Sequence, residues 1–440
     1  MHILFGVFIG LIVLTTLVVL HELGHFFMAK KNGVKVNEFG IGFPPRAIAW
    51  IHLPAEKVPE YLASLPEDFR QKINSKKIES KLAKNKYCWL PFPKSEYKKP
   101  QEYLIFSLNY LPIGAFCAMD GESAADTKKG TFGATNFWQK TQILFGGVLM
   151  NWLTAIVVLT ILAWTGMPTF LPHQFTIQHD AHAKSQPVTV SEVLKDSPAE
   201  RAGIKARSKI IAMEVTGNKN TYLVALSPQT IIDFNDTNKN KDVTYYLVDE
   251  NQNPYQVNAK LGSGEQNRPV LGVAMQSTGE QSLIHYTWSA PLVGLGTTLQ
   301  ITAETFKGLG TMVYNIFEGT VRQFSGNQSL KEAGKQQIEK VGDAVSGPVG
   351  IIGVLFPAFT NAGPTNLAFL SAIISVSLAC MNVLPIPALD GGRWLLIGLF
   401  KLRHKKLSKR TEEKIVGGAF LALIGLSILI TVLDIVKITK

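Results

Sequence analysis

The sequence predicts a polytopic α-helical membrane protein with about four spans, a membrane-associated β-hairpin or sheet, and one extracytoplasmic α+β domain. The chain of 440 residues is 46% hydrophobic and 18% charged, which favours a membrane protein with a soluble part over several soluble domains. Four apolar stretches approach the roughly 20 residues that cross a bilayer. They are Ile3 to Leu20, Ile143 to Trp164, Leu367 to Leu389 and Val416 to Val432.

The first apolar stretch ends in His21-Glu22-Leu23-Gly24-His25. On a helix the two histidines lie on one face and can share one Zn²⁺, while Glu22 lies at a neighbouring edge where it can take a proton from the attacking water. Ionisable groups in an apolar segment are costly and mark function by default. The motif therefore predicts water activation at a zinc site inside a membrane.

Two simpler interpretations of this segment are weaker. Paired histidines on a helix are sometimes only hydrogen-bonded core residues, and an apolar run at the N-terminus is sometimes a cleaved signal peptide. The run lacks a basic segment before it and a small-x-small cleavage site after it, which argues against a signal peptide.

The net charge of +11 comes from basic residues beside the spans. They are Lys30, Lys31, Lys35 and Arg46 after the first span, and Arg393, Lys401, Arg403, Lys405, Lys406, Lys409 and Arg410 between the third and the fourth. The positive-inside rule makes both loops cytoplasmic, so residues 166–345 and both termini are expected outside. No aromatic-interleaved basic face accompanies this charge, so we expect no nucleic-acid partner.

The three cysteines agree with this topology. Cys88 and Cys117 fall in the first cytoplasmic loop and Cys380 falls in a span, while the exported region has none. No disulfide framework is implied.

Two segments after the first span, 34–50 and 108–119, contain glycines and prolines between short apolar runs and are predicted to be strands or loops. We expect a small sheet near the zinc motif, whose edge offers hydrogen bonds to an unwound substrate. A plain connecting hairpin is the alternative. Between them, residues 54–99 are rich in Lys and Glu and predict a soluble insertion of a few helices.

A soluble module follows the second span. Residues 188–194 alternate as a strand, 196–203 begin a short capped helix, and 209–215 return to a strand. This order, with its Ser-Pro-Ala-Glu-x-Ala-Gly-Ile string, resembles a bacterial PDZ domain, although residues 206–208 replace the usual Gly-Asp. In such a domain Leu271-Gly272-Val273 would supply backbone amides for a peptide terminus. The alternative is an ordinary strand.

Two further segments have apolar patterns without a full span. Residues 291–317 predict an amphipathic helix at the outer membrane surface, or one that packs against the PDZ module. Residues 348–359 are apolar but short and contain glycines and a proline, so they predict a re-entrant or interfacial segment.

The third apolar run leads to Asp390. A tetrahedral catalytic zinc needs a third protein ligand and an open position, and a cation held by His21 and His25 would satisfy this carboxylate. Pro385 and Pro387 break the helix and are tolerated where the backbone lines a cavity. Asn382 is a candidate to bind a substrate carbonyl. The alternative is an interfacial helix end capped by an aspartate.

Seven features occur in a recognisable order. They are His21-Glu-x-x-His25, Phe39-Gly40-Ile41-Gly42-Phe43, Leu111-Pro112-Ile113-Gly114, Gly147-x-x-x-Asn151, the PDZ module, Gly347-Pro348-Val349-Gly350 and Asn382-x-x-Pro-x-Pro-x-Leu-Asp390-Gly-Gly. The chain thereby resembles the site-2 protease family, in particular the bacterial branch that cleaves membrane-bound anti-sigma factors. The insertion lies outside the match. Val148 stands where many relatives have proline, and one PDZ module is visible where some have two.

The resemblance implies an intramembrane zinc endopeptidase of the bacterial inner membrane. His21, His25 and Asp390 would hold one Zn²⁺ per chain, and Glu22 would be the general base. Gly114, Asn151 and Asn382 are expected to bind the unwound substrate. The implied substrates are single-span membrane proteins whose outer domain has been trimmed, such as anti-sigma factors or signal-peptide remnants, with the PDZ module restricting access.

Two other functions fit parts of the sequence. A membrane-anchored soluble-type metallopeptidase predicts a third histidine or glutamate in a polar segment downstream, and no convincing one is found. A catalytically inactive PDZ scaffold need not keep the three ligands and Glu22, all of which are present.

The predicted domains divide the chain as follows. They are a first transmembrane helix with the zinc motif (1–30), membrane-associated β segments (31–50 and 105–122), a cytoplasmic lysine-rich insertion (51–104), a second transmembrane helix (136–165), a PDZ domain (172–282), a juxtamembrane amphipathic region (283–345), a re-entrant segment and third transmembrane helix with Asp390 (346–395), and a cytoplasmic basic loop and fourth transmembrane helix (396–440).

Overall fold

The computed structural model forms two compact units. The first unit is Met1–Val158 with Thr298–Lys440, and the second unit is Leu159–Thr297. The residues that the structure describes are 2–65, 67–70, 86–93, 103–171, 173–184, 188–218, 221–225, 228–264, 270–276, 283–325, 327–344 and 347–439.

Helices and strands succeed one another along the chain in three groups. The N-terminal elements are α1 (His2–Lys31), β1 (Val36–Pro54), α2 (Val58–Ser64), α3 (Glu67–Arg70), β2 (Tyr87–Phe92), β3 (Leu104–Met119), α4 (Phe137–Leu144) and α5 (Gly146–Thr165). The central elements are β4 (Met167–Pro168), β5 (His182–Lys184), β6 (Val188–Val193), α6 (Pro198–Ala202), β7 (Lys209–Val215), β8 (Leu223–Val224), α7 (Pro228–Thr237), β9 (Asp242–Val248), β10 (Pro254–Lys260), β11 (Val273–Gln276) and β12 (Leu283–His285). The C-terminal elements are α8 (Ala290–Gln323), α9 (Gln328–Ala344), α10 (Pro348–Asn361), α11 (Pro364–Val383), α12 (Asp390–Leu402) and α13 (Lys409–Thr439).

Four helical segments of the described chain are long and apolar enough to cross a membrane. They are Ile3–Lys31, Phe137–Thr165, Pro364–Val383 and Lys409–Val432. Their number agrees with the sequence prediction, but several boundaries differ from those of the apolar stretches. The third helix ends at Val383 rather than at Leu389, because Pro385 and Pro387 cannot continue a helix. Residues 396–402, predicted as loop, belong to α12.

Helix α10 occupies the segment that the sequence predicts to be re-entrant. Its first turn leaves backbone N–H groups without helical partners, and the buried carboxylate of Asp434 on α13 accepts from Gly347 N at 3.2 Å and from Gly350 N at 2.8 Å. The helix packs along α1, where a Cβ built on Gly6 would lie 2.4 Å from Pro357 Cα. A re-entrant position in the bilayer stays a prediction.

Helices α1 and α5 approach each other at backbone contact. A Cβ built on Gly24 would lie 2.1 Å from the carbonyl oxygen of Gly146, so a larger residue at position 24 would force the helices apart. Small residues allow this kind of approach between membrane helices. The contact lies inside the His-Glu-x-x-His motif and brings α5 against the histidines.

A three-stranded sheet with the order β2-β1-β3 lies next to α1. Strand β1 doubles back on itself, because Ile41 and Ile48 both pair with Leu108 of β3. The bend of β3 is fastened to α1 by a 3.1 Å hydrogen bond from Thr15 Oγ1 to the carbonyl oxygen of Pro112. Both segments that the sequence predicts to be strands or loops therefore belong to one sheet beside the zinc-motif helix.

The insertion contains a strand that the sequence pattern does not predict. Residues 87–92 pair with β1, whereas the prediction for 51–104 was helical. Cys88, Leu90 and Phe92 alternate with exposed residues and contribute to a buried cluster under β1. The short helices α2 and α3 agree with the prediction, and residues 66, 71–85 and 94–102 of the insertion lie outside the described residues.

The second unit is an α+β module built on a sheet with the order β10-β9-β7-β6-β11, to which β8 adds beside β7. Strand β6, helix α6 and strand β7 lie where the sequence predicts a strand, a capped helix and a strand. Ser197 caps α6 by accepting from Glu200 N at 3.2 Å. Strand β11 forms one edge of this sheet. A smaller sheet has the order β4-β12-β5.

The start of α8 is fixed by a buried carboxylate. Asp180 accepts hydrogen bonds from the backbone N–H and the hydroxyl of both Thr287 and Ser289. Burial raises the pKa of Asp180, but these hydrogen bonds outweigh it and hold the pKa below its usual range. Helix α8 extends beyond the predicted 291–317, and α9 follows it. A position at the membrane surface stays a prediction.

A buried ion pair holds the doubled part of the sheet together. Glu38 accepts two hydrogen bonds from the guanidinium of Arg46, one of them 2.7 Å from Nε, and one of 2.8 Å from Ser107 Oγ. The Glu38 side chain is 6% exposed. Its removal would leave the guanidinium, which is 13% exposed, without its carboxylate.

We predict that Glu38→Ala lowers the free energy of unfolding by about 3 to 5 kcal/mol, the usual cost of breaking a buried pair. The matched control is Glu60→Ala, which breaks an exposed pair with Lys57 and should cost about 1 kcal/mol or less. Thermal unfolding of both variants in detergent measures the difference. Equal shifts would contradict a stabilising role for the buried pair.

Candidate metal centre

Three potential ligands of the first unit converge at the junction of α1 and α12. His21 and His25 lie one turn apart on α1 and are 8% and 7% exposed, and Asp390 is the first residue of α12. The two Nε2 atoms are 3.1 Å apart, and Asp390 Oδ2 lies 3.3 Å from Nε2 of His21 and 3.4 Å from Nε2 of His25. The structure therefore brings together the three ligands predicted from sequence.

The arrangement fits a tetrahedral zinc ion. Bonds of about 2.0 to 2.1 Å place tetrahedral ligand atoms about 3.3 to 3.4 Å apart, and the three observed separations lie close to this spacing. Asp390 Oδ2 is buried and has no hydrogen-bond partner among the described residues. Two imidazoles and one carboxylate are also a typical donor set for catalytic zinc, with a fourth position left for water or substrate.

Helix α5 forms the wall behind the two histidines. A Cβ built on Gly147 would lie 2.5 Å from His21 Cε1 and 2.6 Å from His25 Nε2. One turn later, Asn151 is 1% exposed, and its Nδ2 lies 3.3 Å from His21 Nδ1. The spacing of Gly147 and Asn151 thus leaves room for the imidazoles and places an amide against one of them.

Each histidine has a partner for the ring nitrogen that faces away from the cluster. His25 Nδ1 lies 2.8 Å from the carbonyl oxygen of Ile143 in α4. His21 Nδ1 faces Asn151. Such partners fix the ring orientation and leave Nε2 for a metal.

Glu22 lies beside the cluster and against β3. The backbone N–H of Cys117 faces its carboxylate. Because β3 is also fastened to α1 at Pro112, the strand supports the helix that carries the motif. Glu22 therefore lies between the histidine cluster and the backbone of β3.

The loop after β3 is tied to the helix that carries Asp390. Arg393 Nη2 donates to the carbonyl oxygen of Glu122 at 2.6 Å and lies 3.5 Å from Glu412 Oε1. Glu412, which is buried at the start of α13, accepts from Ser123 Oγ and from Ala124 N, both at 2.9 Å. Arg393, predicted only as one of the basic residues between the third and fourth spans, thus connects α12 to this loop, and Glu412 connects α13 to it.

The residues predicted to bind substrate fall in different places. Asn151 contacts a proposed ligand, as described above. Gly114 has a φ of +82° at the bend of β3 and lies against Phe43. Asn382 is half-buried in the last turn of α11 and donates to Leu378 O at 3.0 Å. These contacts do not test substrate binding, so the binding roles of the three residues stay predictions.

The tripeptide Leu271-Gly272-Val273 belongs to the second unit. The carbonyl oxygen of Leu271 accepts from Ala199 N and that of Gly272 accepts from Leu194 N, both at 2.9 Å. Val273 begins the edge strand β11. Its predicted role in binding a peptide terminus is untested by this geometry.

Three supporting groups had no signal in the sequence. They are the carbonyl oxygen of Ile143, the N–H of Cys117, and the hydroxyl of Ser375, which donates to Asn151 O at 2.8 Å. Two are backbone groups, which every residue type provides. The third belongs to one of three serines in an apolar helix, and no spacing rule links that serine to α5.

The sequence is similar to a known peptidase family and to several bacterial proteins over almost its whole length. The profile of peptidase family M50 matches residues 9–56 and 92–426. CPE1693 of Clostridium perfringens is 26% identical, and the alignment covers 99% of each chain. The regulator of sigma-W protease RasP of Bacillus subtilis is 25% identical over 94% of this chain and 95% of its own. The zinc metalloprotease RasP of Oceanobacillus iheyensis is 23% identical over 96% of each chain.

We predict that Gly147→Ala weakens zinc binding by roughly tenfold or more, because the added methyl group displaces both imidazoles. The measurement is zinc affinity of the purified protein in competition with a chelator. The matched control is Gly418→Ala on α13, where a Cβ meets no atom of the described residues within 4 Å. Equal affinities of the two variants would show that the site tolerates the methyl group.

Proposed function

The chain belongs to peptidase family M50, and on that premise we propose that it is an intramembrane zinc endopeptidase that cleaves single-span membrane proteins within or near their span. One observation carries the proposal. His21, Glu22 and His25 lie on a helix that is apolar enough to cross a membrane, and Asp390 clusters with the two histidines. A hydrolytic site at this depth acts on peptide bonds that soluble peptidases do not reach.

The residues have distinct roles in hydrolysis. His21, His25 and Asp390 hold the metal, and Glu22 takes the proton of the attacking water and passes it to the leaving amine. When bound, Zn²⁺ supplies a Lewis acid that polarises the scissile carbonyl and makes water more acidic. The backbone N–H of Cys117 faces the Glu22 carboxylate and would help to keep it in place.

Strand β3 supplies a docking edge for the unwound substrate. Cys117 N–H is directed at Glu22, and Met119 N–H donates to Glu122 Oε1 at 3.1 Å. Alternate residues of an antiparallel strand direct their backbone groups to the same side, so Ala115 presents its N–H and C=O there as well. An extended peptide that pairs with Ala115 by strand addition would lie beside the general base.

The substrates are proposed to be single-span proteins of a bacterial inner membrane that have lost their outer domain. The name of the Bacillus subtilis relative, which links it to sigma-W, supports an anti-sigma factor, and signal-peptide remnants have the same chemistry. The second unit is proposed to be an extracytoplasmic PDZ domain, as its Ser197-capped helix and edge strand β11 support. It would exclude substrates that retain a bulky outer domain.

The two rival functions have less support. A soluble-type metallopeptidase needs its zinc helix outside the bilayer, whereas α1 is apolar along its length. An inactive scaffold has no need for three ligands at tetrahedral spacing with a glutamate beside them.

We predict that Glu22→Gln abolishes cleavage while the protein still binds one zinc ion. The carboxamide keeps the shape of the side chain but cannot take a proton, and general-base catalysis contributes about 10²- to 10⁴-fold. The assay compares wild type and variant, both purified in detergent, on a tagged single-span substrate without its outer domain, with zinc content measured in parallel. Zinc in both with cleavage by both would exclude Glu22 as the base. No zinc in wild type would favour the scaffold.

We also predict that cleavage depends on how easily the substrate helix unwinds. Two Ala→Gly changes next to the cleaved bond weaken the substrate helix by about 2 kcal/mol. They should therefore speed cleavage by up to about 30-fold when unwinding limits the rate. The matched control carries the same two changes at the opposite end of the span, at least one helical turn from the cleaved bond. Equal rates for both substrates would argue against docking as an extended strand.

A further inference from the structure

Helix α5 holds an amide whose orientation matters for the metal site. Asn151 Nδ2 lies 3.3 Å from His21 Nδ1, and Asn151 Oδ1 is buried with no hydrogen-bond partner among the described residues. The residue is 1% exposed, and its backbone carbonyl is held by Ser375 Oγ of α11 at 2.8 Å. The side chain is therefore confined next to His21.

The geometry of the cluster indicates which ring nitrogen of His21 carries the proton. Its Nε2 is the atom that faces His25 Nε2 and Asp390 Oδ2, at 3.1 and 3.3 Å. An imidazole that binds a metal through Nε2 carries its proton on Nδ1. Nδ1 of His21 is thus a donor, and it needs an acceptor.

An amide nitrogen cannot accept that proton, but the amide oxygen can. A half-turn of the Asn151 amide about its Cβ–Cγ bond exchanges Oδ1 and Nδ2, so that the oxygen lies 3.3 Å from the donor nitrogen. The exchange ends the contact between two donors and gives the unpartnered oxygen a partner. His25 already has the corresponding arrangement, with Nδ1 2.8 Å from the carbonyl oxygen of Ile143.

We propose that Asn151 is a positioning residue for the metal site: its side-chain oxygen accepts the Nδ1 proton of His21 and fixes that ring with Nε2 towards the metal. This inference rests on the proposed function, since it requires the zinc site. It assigns Asn151 to the support of a ligand rather than to the substrate. It also explains why the amide lies one turn after Gly147, which leaves the space that the ring occupies.

The test is zinc affinity, measured by competition with a chelator on detergent-purified protein, for wild type, Asn151→Ala and Asn151→Asp. Loss of a ligand's hydrogen-bond partner usually weakens metal binding 10- to 100-fold, so we expect about this loss for Asn151→Ala. The carboxylate of Asn151→Asp also accepts the Nδ1 proton, and we expect its affinity to equal or exceed that of wild type. Thr154→Ala is the control on the same helix, because its hydroxyl bonds to Met150 O within α5.

The outcomes separate this inference from its alternatives. Affinity that falls in Asn151→Ala and is retained in Asn151→Asp supports it, as does the same contrast in the visible spectrum of bound Co²⁺. The inference is overturned if Asn151→Ala binds zinc as tightly as wild type, because the acceptor is then not needed. It is also overturned if both variants are weakened equally, because a side chain that only fills space would not distinguish a variant with an acceptor from one without. If Asn151→Ala does not fold, weaker binding by Asn151→Asp still overturns it. A wild type that binds no zinc overturns the proposed function together with this inference.

Discussion

The architecture of the first unit depends on one constraint: two imidazoles and a carboxylate must be accommodated among apolar helices. Each such group is costly in an apolar environment unless it has a partner. His21, His25 and Asp390 share one cluster, and the outer nitrogen of each ring faces Ile143 O or Asn151. A cation at the centre would satisfy all three. A metal held there would therefore stabilise the cluster as well as supply its chemistry.

This constraint decides which residues can surround the cluster. Helix α5 must approach α1 closely enough to reach the outer nitrogen of His21, and the contact between Gly24 and Gly146 allows it. Gly147 then leaves space for the rings, and Asn151 reaches His21 one turn later. Between α11 and α12, Pro385 and Pro387 end the first helix, so that Asp390 can begin the second and face the histidines. Small residues and helix ends are therefore placed according to the needs of the ligands.

The sequence predicts those features that side-chain type and spacing encode. The four apolar runs predict helices of spanning length, and His21, Glu22, His25 and Asp390 predict a zinc centre because few other arrangements explain them in apolar runs. The strand at Tyr87–Phe92 was missed because six residues inside a lysine-rich segment give too short a pattern. The role of Asn151 could not be inferred because the resemblance suggested substrate binding, whereas the contact with His21 depends on how α1 and α5 cross. The partners Ile143 O and Cys117 N–H are backbone groups, which no residue type marks.

The sheet beside α1 answers a second physical problem, that of the substrate. A peptide in a membrane helix has its N–H and C=O groups paired within the helix, so opening it for attack leaves these groups without partners in an apolar environment. The proposed function uses the outer side of β3 at Ala115 as a source of replacement partners, next to Cys117, whose N–H faces Glu22. In the proposed function the same strand would receive the unwound peptide and lie beside the base. A strand shared in this way would place the base where the substrate backbone becomes accessible.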